Sequence, residues 1–373
     1  MGDFPHPRPR GPVPIFLQIR CIRLARRVHS PSTIVLRNPN YRRAAPDRTQ
    51  RLRQSVQIAF FLLNLWIAVD FYRFVRYYET AGEMGSPQRP AGVEGWLPIA
   101  SLMNLKVWVV TGVVPRIHPA GMFLLLAFLI ISLLLRKTFC GWLCPVGTVS
   151  EYLWTIGRRV FRRNWRLPKW LDLAARSLKY ILLALFVYVV AIMPVEGLLA
   201  FMEGPYGIVA DVKMLNFFRY LSMTSALVLG ILVLGSFFIQ NLWCRYLCPY
   251  GALMGLVSLA SPLRIRREPS QCIDCAKCAK ACPSALPVDR LITIRSAECT
   301  GCLHCVASCP AEGALFLSVP KRRKIPAWAL AVTMGAVFIG FYLGARVTGH
   351  WQTPIPGHIY SRLVPHASEF AHP

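Results

Sequence analysis

Long apolar stretches separated by basic, polar segments dominate the hydrophobic pattern of this chain. A membrane-spanning helix needs about 20 apolar residues. The pattern predicts five such helices, at residues 55–76, 119–135, 178–193, 224–242 and 325–346. Hydrophobic residues make up 54% of the 373 positions, which excludes an ordinary water-soluble domain. We therefore expect an all-α polytopic membrane bundle.

One further apolar segment, residues 96–114, complicates the count of spans. It carries Asn104 and Lys106 near its centre, where a charge inside lipid is costly. If this segment crossed the membrane, every later segment would change sides. We therefore interpret it as a re-entrant or interfacial segment at the outer face, which keeps the expected number of spans at five.

The basic residues alternate between successive segments and predict an orientation. Three segments hold 34 of the 43 Lys and Arg, whereas the intervening segments hold seven; the rich ones are residues 1–53, 136–180 and 244–324. Cytoplasmic loops carry such an excess. We expect a multi-pass protein of the bacterial cytoplasmic (inner) membrane, with its N-terminus inside and its C-terminus outside. The net charge of +26 then reflects topology and does not indicate a nucleic-acid partner.

The same pattern divides the chain into five parts. We expect a basic cytoplasmic leader that is disordered or interfacial, a four-span membrane domain, a small domain, a fifth transmembrane helix and an extracytoplasmic tail. Their boundaries are predicted at residues 1–53, 54–262, 263–319, 320–346 and 347–373. The leader has no apolar core typical of a signal peptide before the first span, so no cleavable signal is predicted.

Two identical cysteine runs occupy the small domain. Each reads C-x2-C-x2-C-x3-C-P, the spacing of a bacterial ferredoxin with two [4Fe-4S] clusters, in which the fourth cysteine of each run binds the other cluster. We predict that the first cluster binds Cys272, Cys275, Cys278 and Cys309, and the second Cys299, Cys302, Cys305 and Cys282. Structural zinc and disulfides explain an identical duplication poorly. The small domain is therefore expected to be an α+β ferredoxin insertion.

A second duplication lies in the membrane domain. The segment FCGWLCPVG at residues 139–147 matches WCRYLCPYG at residues 243–251, and each C-x3-C-P turn follows a span that runs inward. Proline suits the first position of a helix. We therefore expect Cys144 and Cys248 to cap helices, and a helix N-terminus to lower the pKa of both thiols.

These four cysteines, Cys140, Cys144, Cys244 and Cys248, admit three interpretations. They could converge as a third redox or metal site, including a third cluster. Each pair could instead be a redox-active dithiol, or a docking turn for the ferredoxin clusters. Simple burial explains one such pair well, because free cysteines are often buried, but it explains a matched duplicate poorly.

In these motifs the chain resembles the NapH-type membrane polyferredoxins, and also the membrane and ferredoxin part of NosR. The resemblance covers roughly residues 55–345. It implies electron transfer between the membrane quinone pool and a partner redox protein of a respiratory chain, as in a quinol dehydrogenase subunit. The chain departs from NosR in lacking a large flavin-bearing domain before the first span. It departs from the four-span NapH pattern in its fifth span, which leaves the electron acceptor open.

Two other classes of function remain open at this point. The chain could be an assembly factor for copper oxidases, in which the C-x3-C-P cysteines handle copper. It could also be a membrane sensor whose clusters report redox state to a partner. Neither class has a sequence signature here, so electron transfer is the favoured interpretation.

Overall fold

The computed structural model describes residues 42–45, 47–80, 82, 88–162, 165, 167–320 and 323–372. The predicted leader at residues 1–53 lies mostly outside this part of the chain. Its last residues are described, and they already belong to the first long helix, α1 (Thr49–Glu79). Arg53 is 0% exposed inside the protein, so ordered, packed structure begins before the predicted boundary at residue 54.

The described chain is mostly helical. After α1, the helices up to the ferredoxin region are α2 (Pro98–Thr111), α3 (Pro119–Leu135), α4 (Pro145–Phe161), α5 (Lys169–Ile192), α6 (Val195–Glu203), α7 (Pro205–Ile208), α8 (Ala210–Arg219), α9 (Met223–Phe238) and α10 (Pro249–Val257). The remaining helices are α11 (Lys277–Ala281), α12 (His304–Ala307), α13 (Ala327–Val347) and α14 (Gly357–Leu363).

Three of the described helices, α1, α5 and α13, are long and apolar enough to cross a membrane. Helices α8 and α9 make a fourth candidate if they form one span, bent by 79°. Helix α3 has 17 residues and is about 25 Å long, short of the roughly 30 Å hydrocarbon core. The protein is therefore a helical membrane protein with three or four candidate spans, and the count of five stays a prediction.

Helix α3 lies at the centre of the bundle. It packs against α2, α10 and α13, and most of its side chains are buried. An apolar surface on every side suits a helix that is surrounded by other helices. The same core continues into the ferredoxin region, because Leu135 at the end of α3 shares a cluster of buried side chains with Ile265 and Leu317.

The apolar segment at residues 96–114 forms a helical hairpin with α3. Helix α2 has 14 residues, about 21 Å, and is too short to cross the membrane alone. The Lys106 ammonium donates hydrogen bonds to the carbonyls of Val190 (3.0 Å) and Ala191 (2.9 Å) at the end of α5. A cation is favourable at a helix C-terminus. The charge that argued against a crossing therefore caps a neighbouring helix, and the re-entrant interpretation stays a prediction.

The ferredoxin region contains a two-stranded antiparallel sheet. Strand β1 (Arg264–Arg267) pairs with β2 (Leu315–Ser318), and Ile265 lies opposite Leu317. The two cysteine runs lie between these strands, together with the short helices α11 and α12. This is the small α+β arrangement that the sequence predicts.

Candidate iron–sulfur site

The two cysteine runs of the ferredoxin region share one backbone conformation. We call residues 272–282 the first run and residues 299–309 the second run. Left-handed residues recur at matched positions, with φ of 53° at Asp274 and 61° at Gly301, and of 54° at Ala276 and 58° at Leu303. Residues other than glycine rarely adopt this conformation. Its recurrence indicates a tight turn between consecutive cysteines that both runs require.

The fourth cysteine of each run lies beside thiols of the other run. Burial raises the pKa of Cys282 to about 12, and its thiol interacts electrostatically with those of Cys302 and Cys299. Burial also raises the pKa of Cys309, whose neighbours are Cys275 and Cys272. These are the neighbour relations that the predicted ligand sets require, although the sets themselves stay predictions. All twelve described cysteines are free thiols, so the described chain contains no disulfide.

Backbone amides also face the thiols of these runs. The amide of Asp274 lies 3.5 Å from Cys272 Sγ. Amide hydrogen bonds from Ala279 and His304 act to lower the pKa of Cys278 and Cys302, against the larger effect of burial. Amide donors stabilise the anionic form of a thiol and the sulfur of a cluster. The donor set and the backbone of both runs therefore fit [4Fe-4S] clusters.

The C-x3-C-P turns of the membrane domain are also matched in structure. Each begins with a π-helical turn, Phe139–Leu143 or Trp243–Leu247, which is a feature frequent at functional sites. The second cysteine is extended and precedes α4 or α10. Its sulfur accepts a hydrogen bond from the amide of Gly147 (3.5 Å) or Gly251 (3.2 Å). The predicted capping by Cys144 and Cys248 is thus confirmed.

The expectation that capping lowers the thiol pKa is wrong for Cys144. Burial raises the pKa of Cys144 to about 12, although the Gly147 amide acts in the opposite direction. Burial likewise raises the pKa of Cys140 to about 11 and of Cys244 well above its ordinary value. Desolvation of the thiolate outweighs one or two amide hydrogen bonds. Binding of a metal at these thiols would therefore release protons.

The structure brings the four membrane-domain thiols, those of Cys140, Cys144, Cys244 and Cys248, to one place. Cys144 interacts electrostatically with Cys140 and Cys248, and Cys244 interacts with the other three. The turns are 104 residues apart in the chain, yet their thiols are neighbours. No three His, Cys, Asp or Glu side chains of the described residues form a single-ion site, and this applies equally to the ferredoxin cysteines.

A cavity of about 1070 Å³ extends from these thiols into the bundle. The four cysteines and Tyr250 line it, as does Lys137. The rest of its wall is mainly apolar, and includes Phe60, Leu63, Trp96, Leu183, Phe186 and Trp351. Binding pockets are typically apolar cavities with a few polar groups, and this volume suits a bulky hydrophobic molecule.

A buried ionic network fixes the second run to the membrane domain. The Arg53 guanidinium donates to Glu151 (2.7 Å) and to the Gly141 carbonyl (2.9 Å), and His304 lies 3.1 Å from the Glu151 carboxylate. Burial acts to raise the pKa of Glu151, but hydrogen bonds from Arg53 and His304 lower it to about 2. The carboxylate is therefore charged at neutral pH.

Both C-x3-C-P turns contact segments that carry the predicted ligands of the second cluster. Trp142 Nε1 donates to the Gly301 carbonyl at 3.1 Å. Gly141 lies so close to the second run that a Cβ there would be 2.9 Å from the Thr300 carbonyl oxygen. On the other turn, Arg245 donates to the carbonyl of Ser284 at 2.7 Å, two residues after Cys282. The second cluster site is thus the one next to the membrane-domain thiols.

A second buried network lies away from the cysteines, beside the cavity wall at Arg89. The Arg89 guanidinium donates to Asp211 (2.9 Å) and Glu94 (2.6 Å), and lies 3.0 Å from His118 Nδ1. Burial acts to raise the pKa of Glu94, but the charge of Arg89 and the hydrogen bond from His118 lower it to about 2. The Glu94 carboxylate also accepts the Gly121 amide at the start of α3 (3.0 Å). This network ties α3 and α8 to the loop before α2.

The sequence analysis missed the charged residues around the cysteines. The basic pattern places Arg53 in the leader and Lys137 among the cytoplasmic loop charges, and it gives Glu151 and Glu298 no role. The hydrogen-bond partners of Arg53, Glu151 and Glu298 are remote in the chain; for example, Lys179 donates to Glu298 at 2.7 Å across 119 positions. A usable signal was their position beside the motifs, because Lys137 comes three residues before Cys140 and Glu298 directly before Cys299.

Two family models match this chain. One, described as a 4Fe-4S binding domain, matches residues 117–168 and again residues 221–268. Each of these matches contains one C-x3-C-P turn. The other, described as a 4Fe-4S dicluster domain, matches residues 264–310, which contain both ferredoxin runs. No solved structure matches the chain. The family models support iron–sulfur binding in both duplicated regions.

Curated relatives point to the same class of protein. The chain is 48% identical over 326 residues to YccM of Escherichia coli (strain K12), whose name describes an electron transport protein; the match covers 86% of this chain and 91% of YccM. It is 26% identical to the ferredoxin-type protein NapH of Haemophilus influenzae, over 40% of this chain and 48% of NapH. It is 29% identical to the regulatory protein NosR of Pseudomonas aeruginosa, over 43% of this chain and 22% of NosR. The chain belongs to the NapH-type family of membrane polyferredoxins, a family of iron–sulfur electron-transfer proteins.

Proposed function

We propose that this protein transfers electrons between the membrane quinone pool and a partner redox protein at the cytoplasmic face. The observation that carries the proposal is the apolar cavity of about 1070 Å³ whose wall includes the four membrane-domain thiols. A quinol headgroup with an isoprenoid tail is the membrane-soluble redox molecule whose chemistry suits such a wall. Oxidation of the quinol to quinone releases two electrons and two protons; the electrons pass to one-electron centres and the protons to water.

The chain's own residues would hold two [4Fe-4S] clusters, which supply one-electron transfer when bound. Cys299, Cys302, Cys305 and Cys282 would hold the cluster next to the membrane domain, and Cys272, Cys275, Cys278 and Cys309 the cluster farther away. Trp142 contacts Gly301 of the second run, and Arg245 contacts Ser284 just after Cys282; both contacts support this order. The exposed side chains of Lys277 and Lys280 on the first run support docking of an acidic partner there.

We further propose that Cys140, Cys144, Cys244 and Cys248 hold a third cluster. Support comes from their mutual proximity, their matched backbone and the 4Fe-4S family match over both turns. Protein purified without oxygen should contain about twelve irons per chain, from four irons per cluster. Changing all four cysteines to serine should leave about eight. Eight irons in the unchanged protein, or bound copper in their place, would contradict the third cluster.

Quinol oxidation is tested by narrowing the cavity. Leu183 lines the cavity, so Leu183→Trp should lower the rate at which a short-chain quinol bleaches cluster absorbance by at least about tenfold, without changing reduction by dithionite. Leu227, which is 63% exposed on the outside of α9, provides the matched control in Leu227→Trp. Equal rates in both variants, or no bleaching by quinol in the unchanged protein, would reject the quinone site.

A further inference from the structure

Lys137 is a buried cation at the wall of the cavity. The residue is 4% exposed and lies two positions after the end of the central helix α3. Within the described part of the chain, its ammonium makes no hydrogen bond and has no carboxylate within ion-pair distance. Charged groups are rarely buried without a partner, because removal from water is costly. The position of this ammonium therefore calls for a compensating negative charge.

The ammonium lies at the membrane-domain thiols. A Cβ added to Gly251 would be 3.6 Å from Lys137 Nζ and 3.5 Å from Cys248 Sγ, so both atoms face the same residue at the start of α10. Lys137 also interacts electrostatically with Cys140 and Cys244. A helix N-terminus carries a partial positive charge and favours anions. An unpaired lysine at this point adds to the positive charge and does not neutralise it.

One carboxylate at the cavity wall, that of Glu298, is shared by two ammonium groups, because Lys137 attracts it electrostatically and Lys179 binds it directly. Glu298 accepts hydrogen bonds from the Lys179 ammonium at 2.7 Å to both oxygens, and from Tyr180 at 3.0 Å. With two helix N-termini and Lys137 facing the thiols, the site has a surplus of positive charge. An anionic ligand of the four thiols would balance it.

The lysine is not required by the repeated turn itself. Lys137 precedes the first C-x3-C-P turn by the same spacing at which Asn241 precedes the second. Asn241 also lines the cavity, and its side-chain oxygen accepts a hydrogen bond from Ser150 at 3.3 Å. The neutral asparagine shows that the turn forms without a cation at this position. One lysine therefore serves both turns.

We propose that Lys137 compensates the charge of an anionic iron–sulfur centre bound by the four membrane-domain thiols and raises its reduction potential. This inference rests on the third cluster proposed above. Four thiolates give such a centre a net negative charge, and one-electron reduction adds one more negative charge without a proton. A nearby fixed cation stabilises the reduced form more than the oxidised form. Lys137 thereby makes the centre a better electron acceptor from quinol. Its effect is electrostatic, and the lysine itself neither accepts nor donates electrons.

The test is a redox titration of the full-length protein, followed by electron paramagnetic resonance, in Lys137→Met and Lys137→Arg. The methionine variant should disfavour reduction of the membrane-domain centre by about tenfold, about 59 mV for one electron. The ferredoxin potentials should not change, and arginine should restore the original value. Lys213→Met is the control. It removes a lysine of α8 whose ammonium donates to the Ala367 carbonyl.

Iron analysis of the same samples separates the two proposals. If the unchanged protein holds only about eight irons, the third cluster fails and the role of Lys137 fails with it. If it holds about twelve and Lys137→Met shifts no potential, or shifts all of them equally, the role of Lys137 alone is overturned. Loss of the third centre in the methionine variant but not in the arginine variant supports charge compensation. Loss in both variants contradicts it.

Discussion

Arg53 shows how one residue can hold two parts of this protein together. It lies on α1 and binds Glu151 on α4, while its guanidinium also lies 2.9 Å from His304 of the second run. Because Arg53 is fully buried, its positive charge needs this carboxylate as a partner inside the protein. The residue therefore acts as a fixed link between the membrane helices and the ferredoxin region.

Glu151→Ala should destabilise the protein by roughly 3–5 kcal/mol, because it leaves the Arg53 charge buried without its partner. Thermal unfolding in detergent measures the effect. Glu369→Ala is the matched control. Both side chains of the Glu369–His366 pair are exposed, so the pair should contribute less than about 1 kcal/mol to the free energy of unfolding. Similar melting temperatures for the two variants would show that the buried link does not hold the structure together.

At the scale of elements, the hairpin of α2 and α3 depends on polar caps within an apolar surrounding. Asn104 donates to the carbonyls of Ile117 (2.8 Å) and His118 (3.0 Å), which fixes the loop between the two helices. Lys106 caps the end of α5. Such contacts can hold α2 against α3 and α5 without α2 itself crossing the membrane.

Lys106→Met should destabilise the protein by roughly 1–3 kcal/mol, since the carbonyls of Val190 and Ala191 lose a charged donor. Hydrogen exchange near the C-terminal end of α5 should become faster in this variant. Lys106→Arg keeps the charge and should retain most of the protection. Unchanged exchange in the methionine variant would refute the capping role.

The Arg89–Glu94 network predicts a dependence on pH. The pKa of Glu94 is lowered from 4.5 to about 2, so its contribution is complete above pH 4.5 and is lost as the pH falls towards 2. A shift of this size corresponds to roughly 3 kcal/mol. The Gly121 amide donates a hydrogen bond to Glu94. Its protection from hydrogen exchange, corrected for the intrinsic exchange rate, should fall over this pH range. Glu94→Gln should show no such pH step, and a step in both proteins would assign it to another group.

For the whole molecule, the charge pattern and the fold together predict which face each part occupies. The basic loop after α3 and the ferredoxin region are expected on the cytoplasmic side, with the residues after α13 outside. A fluorescent protein that folds only in the cytoplasm should fluoresce when fused after residue 162. Alkaline phosphatase, which needs an extracytoplasmic location, should be active when fused after residue 348. The reverse result would mean that α2 crosses the membrane.

Local pattern and spacing predicted much of this architecture. The expected spans at residues 55–76, 178–193 and 325–346 lie within or across α1, α5 and α13. Capping by Cys144 and Cys248 also followed from adjacent residues. What the sequence did not reveal depends on distant contacts, such as Arg53 with Glu151, which are 98 positions apart. The wrong sign for the pKa of Cys144 has the same origin, because burial is a property of the folded bundle.

The docking of the second run has a consequence for how the protein exchanges electrons. Because Gly141 and Trp142 contact the second run, and Arg245 binds the Ser284 carbonyl just after Cys282, the ferredoxin region is not free to swing between a donor and an acceptor. A mobile carrier would visit each partner in turn, whereas this one stays in place. In the proposed function, a soluble acceptor would have to diffuse to the first run for every electron, so the frequency of its collisions would set an upper limit on turnover.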